Sequence, residues 1–110
     1  MKKEKTICSK EAYGNLKLLV NKNLTKSNLE LISVTIGRRK GRTVAAVLTR
    51  GKYHFTLTTF VWKESKWSMK EIGHLLKMDP WKTATTIECA LDVAADKQTG
   101  AWVNFMRMVN

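Results

Sequence analysis

The chain has 110 residues and carries 20 Lys and Arg against nine Asp and Glu, a formal net charge of +11. This length is typical of one domain, 44% hydrophobic residues are ordinary for a globular chain, and a single proline with six glycines argues against a long disordered linker. No stretch predicts a membrane span, and no apolar signal-peptide core follows the basic N terminus. We therefore expect one domain over residues 1–110 in the cytoplasm (or a eukaryotic nucleus), with residues 1–8 as a disordered basic arm.

The positive charge is concentrated in the first three quarters of the chain. Residues 1–82 hold 18 basic and six acidic side chains, whereas residues 83–110 hold two basic and three acidic ones. So large an excess of one sign repels itself in a folded chain, and phosphate groups of a nucleic acid would neutralise it. The charge therefore predicts a nucleic-acid partner, although a solvated basic surface remains the simpler alternative.

The first half of the chain predicts one helix followed by three strands. Leu16, Leu19 and Val20 share one helical face, which indicates a helix from about Lys10 to Lys22. Alternating or continuous apolar runs predict strands at 31–37, 43–49 and 53–62. Short basic turns at 38–42 and 50–52 separate these strands, so we expect an antiparallel β-meander.

The second half predicts two further helices and an apolar end. Ser68 and Glu71 form the pattern of a capping box, which predicts a helix from Ser68 to about Lys77. Asp79 and Pro80 are good N-cap and first-turn residues for another helix that ends near residue 97. Residues 101–110 fit either a helix or a strand. The expected fold class is α+β: an N-terminal helix, a three-stranded antiparallel meander, a helix pair and an apolar C-terminal segment.

The predicted helix pair, S-M-K-E-I-G-H-L-L-K-M-D-P-W-K-T-A-T-T-I-E-C-A-L, resembles a generic helix-turn-helix DNA-binding motif and points to no specific family. Ile72 and Leu76 fall where the motif has buried apolar residues. Gly73 falls where a small residue lets the second helix approach, and Asp79 caps that helix. The resemblance implies that the second helix enters the major groove of duplex DNA and that the protein has a regulatory role, for example in transcription.

Candidate contact residues come from that helix pair and from the two basic turns, which would act as a wing on the phosphates. The predicted nucleic-acid-binding residues are Arg38, Arg39, Lys40, Arg42, Arg50, Lys52, Lys70, Lys77, Trp81, Lys82, Thr83, Thr85 and Thr86. The alternative for the helix pair is two core helices joined by a capped turn.

Two other functions fit the same sequence. The sheet could bind single-stranded DNA or RNA, with Phe60 and Trp62 stacking on bases beside His54, Thr56 and Thr58. The protein could instead be a small inhibitor or adaptor, of the kind that phages encode, that binds an acidic protein surface. DNA against RNA, and single against double strand, stay open at this point.

We do not expect an enzyme or a cofactor. No phosphate-cradling glycine loop, nucleophile elbow or acidic cluster is present. Cys8, His54, His74 and Cys89 lack the spacing of zinc ligands, so no metal site is predicted. The near-neutral C-terminal part predicts a possible homodimer, with the tail closing the core of one subunit as the alternative. The candidate interface residues are Trp102, Phe105, Met106 and Val109, with Leu91 and Ala95 behind them.

Overall fold

A computed structural model describes residues 10–96 and 100–109; the predicted basic arm, residues 1–8, lies outside them. The order of elements is α-β-β-β-β-α-α. Their bounds are α1 Lys10–Ser27, β1 Glu30–Arg39, β2 Arg42–Arg50, β3 Phe55–Lys63, β4 Lys66–Leu75, α2 Pro80–Ala95 and α3 Ala101–Val109. The α+β class, the first helix, the first three strands and the helix that begins at Pro80 are confirmed, and the sheet has a fourth strand.

The four strands form one antiparallel sheet in the order β1-β2-β3-β4. Tight two-residue turns close its first and last hairpins, at 40–41 and 64–65. All four turn residues have positive φ: Lys40 at 52°, Gly41 at 75°, Glu64 at 53° and Ser65 at 64°. Positive φ at both positions is the requirement of a type I′ turn, whose twist matches that of the flanking strands.

The helix predicted from Ser68 to about Lys77 is wrong, because these residues form most of β4 and the loop after it. The pairing of β4 with β3 shows that this segment is a strand with one irregularity. Phe60 of β3 pairs with Met69 and Thr59 pairs with Glu71, so Lys70 is an extra residue in a β-bulge. Because of this extra residue, the alternation of side chains between the two faces of the sheet shifts by one position after Lys70. The apolar residues of β4 therefore do not show a period of two, and their spacing resembles that of a helix instead.

The strand is also fixed by its neighbour across the hairpin. Trp62 and Trp67 are directly opposite each other at the Glu64-Ser65 turn, and their rings meet edge to face with centroids 5.1 Å apart. Aromatic pairs of this kind add to strand pairing. Trp67, which directly precedes the predicted capping box at Ser68, is thus part of a hairpin.

Helix α1 covers one face of the sheet. Leu16 and Val20 are buried there, as the helical spacing predicts. They join an apolar cluster with sheet residues that point to the same side: Ala45, Val47, Phe60 and Trp67. Helix α1 and this face of the sheet therefore form one of the two apolar clusters of the core.

Helices α2 and α3 cover the other face. Ile87, Ala90, Leu91 and Ala94 of α2 pack on alternate residues of the central strands. Gly73 of β4 lies against α3, and a Cβ added to it would come within 2.6 Å of Met106. Glycine at this position thus permits the close approach of α3 to the sheet.

The apolar C-terminal segment is a helix that belongs to the core of its own subunit. Trp102 and Phe105 are buried, and the Trp102 indole donates a hydrogen bond to the Ile72 carbonyl at 3.2 Å. Leu91 and Ala95, predicted to stand behind a dimer interface, are buried too. The packing of these side chains within the subunit agrees with the alternative in which the tail closes the core of one subunit, and the homodimer stays a prediction. Met106 and Val109 are half-buried against the same cluster.

Candidate nucleic-acid interface

The predicted contact residues fall at opposite ends of the sheet. The turns 40–41 and 64–65 form one end, which we call the hairpin end. The turn 51–54, the end of β4 and the start of α2 form the other, which we call the helix-start end. From Lys82 to Asp96, beside the hairpin end, α2 rises about 20 Å at 1.5 Å per residue. The predicted helix pair and the 38–42 turn therefore do not form one surface.

At the hairpin end, acidic residues of α2 hold part of the basic turn. Arg39 pairs with both Glu88 and Asp92, and Lys40 Nζ lies 3.5 Å from Asp96 Oδ2. Glu88 and Asp92 are four residues apart and share one side of α2, and Asp96 is the residue that directly follows the helix. Charges that are paired within the molecule contribute less to phosphate binding.

The two remaining arginines of that turn differ from each other. Arg38 donates to Thr43 Oγ1 at 2.9 Å and to the Gly41 carbonyl at 3.1 Å, which braces the turn. Arg42 is half-buried, and its side chain makes no hydrogen bond or ion pair with the part of the chain that the structure describes. Nearby, Lys63 and Lys66 are exposed. The hairpin end therefore keeps a basic surface, although a smaller one than the sequence indicates.

The ammonium group of Lys70, a predicted contact residue, forms hydrogen bonds at the end of α2. Its Nζ donates to the Ala94 carbonyl at 3.1 Å and to the Asp96 carbonyl at 2.9 Å, where α2 ends. Carbonyls at a helix C terminus lack partners within the helix and carry partial negative charge. The ammonium group thus caps α2, and the bulge in β4 brings it there.

The helix-start end unites four predicted basic residues. Arg50 pairs with Glu30, while Lys52 and Lys77 are exposed. Lys82 is exposed with its Nζ 3.9 Å from Asp79 Oδ2, the limit of an ion pair. Within the described part of the chain, Lys52 and Lys77 make no ion pair and Lys82 makes only this marginal one, so all three can contact an anion.

Two aromatic side chains stand in solvent among these lysines. Trp81, at the second position of α2, is 81% exposed, and Tyr53, in the turn before β3, is 78% exposed. Lys52 Nζ lies 5.4 Å from the centre of the Tyr53 ring. The sequence predicts Tyr53 as the first residue of a strand. Its position next to the basic turn 50–52 is the sequence feature that indicates exposure.

The threonines of α2 have unequal surroundings. Thr83 donates its hydroxyl to the Asp79 carbonyl at 2.9 Å, four residues earlier, so this hydroxyl is already bonded to the helix backbone. Thr85 is exposed. Thr86 is only 8% exposed and lines a cavity with Lys77 and Lys82. One of the three predicted contact threonines is thus available on the open surface, and Thr86 faces a recess.

The sheet faces are largely covered. Phe60 is buried under the α1 side, and Trp62 is half-buried against the same cluster. Thr56 is buried as well. The alternative in which the sheet stacks bases on Phe60 and Trp62 has little support from this arrangement, because stacking needs an open aromatic face.

The residues considered for zinc are not assembled. Cys8 lies outside the described residues, and Cys89 is exposed on α2. The rings of His54 and His74 are 4.5 Å apart, and Thr56 Oγ1 lies 3.2 Å from His74 Nδ1. Within residues 10–96 and 100–109, no three side chains of His, Cys, Asp or Glu come together as metal ligands would.

Comparisons with known proteins give no relative: no family model, no curated protein and no solved structure matches the chain. Among the helices in the described part of the chain, none has both the length and the apolar composition that crossing a membrane requires.

Proposed function

We propose that this protein binds nucleic acid, and that it does so with the helix-start end. The single observation that carries this proposal is the exposure of Trp81 and Tyr53 among lysines. Rings beside ammonium groups are the combination by which proteins stack bases and hold the adjoining phosphates.

Charge supports a polyanionic partner but does not select the end. Arg42, Lys63 and Lys66 make the hairpin end basic, and Lys52, Lys77 and Lys82 do the same at the helix-start end. In the described chain, however, no tryptophan or tyrosine at the hairpin end is exposed as Trp81 and Tyr53 are. The aromatic side chains therefore favour the helix-start end for base contact.

Unpaired bases fit this surface better than duplex DNA. A helix lying in the major groove would place Glu88 and Asp92, on the exposed side of α2, near the phosphates. Carboxylates placed near phosphates repel them, and this repulsion opposes binding. Stacking on Trp81 and Tyr53 instead requires bases that are not already stacked in a duplex. We therefore propose single-stranded DNA or RNA as the preferred ligand, within the cytoplasm, and end-on contact with duplex DNA as the weaker mode.

The test is a binding series with the whole protein and three labelled ligands of one sequence: single-stranded DNA, single-stranded RNA and duplex DNA. We expect either single strand to bind more tightly than the duplex. For three lysine–phosphate contacts, the log–log dependence of affinity on salt should have a slope of roughly −2, at about −0.7 per contact. No binding at low salt, or binding that does not depend on salt, would overturn the proposal.

A second candidate is binding of an acidic protein surface. Leu76 is as exposed as Trp81, and it lies at the same end. An apolar residue contributes more to a protein interface than to a phosphate backbone. Polyglutamate of matched charge separates the candidates. A nucleic-acid binder prefers the oligonucleotide and loses that preference in Trp81→Ala, whereas an adaptor for acidic proteins binds both ligands equally in either form.

A further inference from the structure

A cavity of about 330 Å³ opens between the end of β4, the first turns of α2 and the end of α3. Its walls combine two chemistries. Lys77, Lys82, Asp79 and Thr86 supply the polar groups, and the apolar wall consists of Leu75, Met78, Met108 and Val109. This volume is at the lower end of the range for small-molecule sites.

Thr86 places a hydroxyl without a partner in the described chain at this cavity, and we take this as the starting point for a binding site. Thr86 is more than nine-tenths buried, and its side chain makes no hydrogen bond within residues 10–96 and 100–109. Among the described residues, Ser33 Oγ is the side-chain polar atom that is fully buried and has no hydrogen-bond partner. The Thr86 hydroxyl also has no partner but is not in that class, so it must be accessible to solvent. Because Thr86 lines the cavity, we infer that its hydroxyl is accessible from it.

The charges in the cavity favour a phosphate. Lys77 and Lys82 outweigh the Asp79 carboxylate by one positive charge. The first turn of a helix adds partial positive charge, and a hydroxyl donor completes the set of groups that phosphate accepts from. Asp79 disfavours a bare anion, but it suits a ligand that also carries a hydroxyl or amino donor, as a sugar or a base does.

We propose that this cavity takes one nucleotide unit of the strand. The phosphate lies at Lys77, Lys82 and Thr86, Asp79 accepts a hydrogen bond from the sugar or base, and the apolar wall packs on the remainder. Trp81 is close to Lys82 along α2, so a neighbouring base of the same strand lies within reach of the exposed indole. This inference rests on the proposed nucleic-acid binding and assigns one unit of the ligand to a defined place.

The variant that tests the cavity is Thr86→Val, which keeps the side-chain volume and removes the hydroxyl. Thr85→Val is the matched control, because Thr85 is the adjacent threonine and is exposed. We expect Thr86→Val to bind a short thymidine oligonucleotide about tenfold more weakly, the loss of one hydrogen bond to a charged group. We expect Thr85→Val to bind as the native protein does, and both variants to unfold at or above the native temperature.

A second measurement uses thymidine 5′-monophosphate and inorganic phosphate as probes in amide NMR titrations of the native protein. We expect the nucleotide to shift the amides of residues 77–79, 81–86 and 108–109 at lower concentration than phosphate does. Equal effects of the two probes, or native affinity in Thr86→Val, would overturn the nucleotide site while leaving strand binding intact. If no oligonucleotide binds, the proposed function fails separately, and the titrations still decide the cavity.

Discussion

Arg39 on β1 and Asp92 on α2 form an ion pair across the hairpin end, with Arg39 Nε 2.8 Å from Asp92 Oδ1. Glu88 contacts the same guanidinium. An arginine held by two carboxylates stabilises the packing of α2 on β1. It has little capacity left for phosphate, because binding a phosphate would leave the carboxylates unpaired.

We therefore expect Arg39→Gln to lower the free energy of unfolding by about 0.5–1 kcal/mol, since both acids are largely exposed. Affinity for a single-stranded oligonucleotide should stay within twofold of the native value. Chemical denaturation and fluorescence anisotropy measure the two quantities. A fivefold loss of affinity in this variant would mean that Arg39 leaves α2 to contact the ligand.

The exposed aromatic residues should carry base stacking. Trp81→Ala and Tyr53→Ala are each expected to weaken oligonucleotide binding by roughly 5- to 150-fold, because stacking contributes about 1–3 kcal/mol per base. Unfolding temperatures should not change, since both rings stand in solvent. Tyr13→Ala is the control, because Tyr13 is a half-exposed tyrosine on α1.

Intrinsic fluorescence gives an independent measurement of the same contact. Trp67 and Trp102 are buried and Trp62 is half-buried, so Trp81 is the tryptophan that a ligand reaches directly. Oligonucleotide should quench the native protein and leave Trp81→Ala nearly unquenched. Equal quenching of both proteins would place the ligand elsewhere.

Lys70 should matter for stability and not for binding. Lys70→Met keeps most of the side-chain length and removes the ammonium that caps α2 at the Ala94 and Asp96 carbonyls. We expect a loss of about 1–2 kcal/mol in unfolding free energy. Lys66→Met, an exposed lysine on the same strand, should lose less than 0.5 kcal/mol. Equal stabilities of the two variants in thermal denaturation would show that the cap contributes nothing.

The C-terminal helix should behave as core. Trp102→Glu buries a charge and removes the indole hydrogen bond to Ile72, so the variant should lose cooperative unfolding. Val103→Glu changes the neighbouring, exposed residue of α3 and should fold normally. Circular dichroism melting distinguishes them. A folded, monomeric Trp102→Glu protein derived from a dimeric native one would support the interface predicted from sequence.

The part of the fold that sequence predicts is the part in which periodicity is unbroken. Leu16 and Val20 follow the helical period, and the strands before residue 63 alternate or are continuously apolar, so these elements are correct. Strand β4 was mistaken for a helix because the bulge at Lys70 breaks its alternation. The apparent capping box at Ser68 then reinforced the error.

The candidate site was predictable only in its residue types. Basic turns and the exposed Trp81 are visible in the sequence. Their separation to two ends of the sheet depends on strand order and on the direction of α2, which are properties of the whole fold. The ion pairs of Arg39 with acids 49 and 53 residues further along the chain likewise form only in the tertiary structure. The cavity at Thr86 arises from three elements that meet only after folding.

The central claim is that the helix-start end binds the strand, and a comparison of two double variants tests it most directly. Lys77→Gln/Lys82→Gln and Lys63→Gln/Lys66→Gln remove the same charge from opposite ends of the sheet. Fluorescence anisotropy with a labelled single-stranded oligonucleotide over a salt series gives affinity and slope for each. We expect the first variant to bind at least tenfold more weakly with a slope reduced by about 1.4, two contacts at 0.7 each, and the second to keep the native slope. Equal losses in both variants, or a greater loss in the second, would contradict the claim.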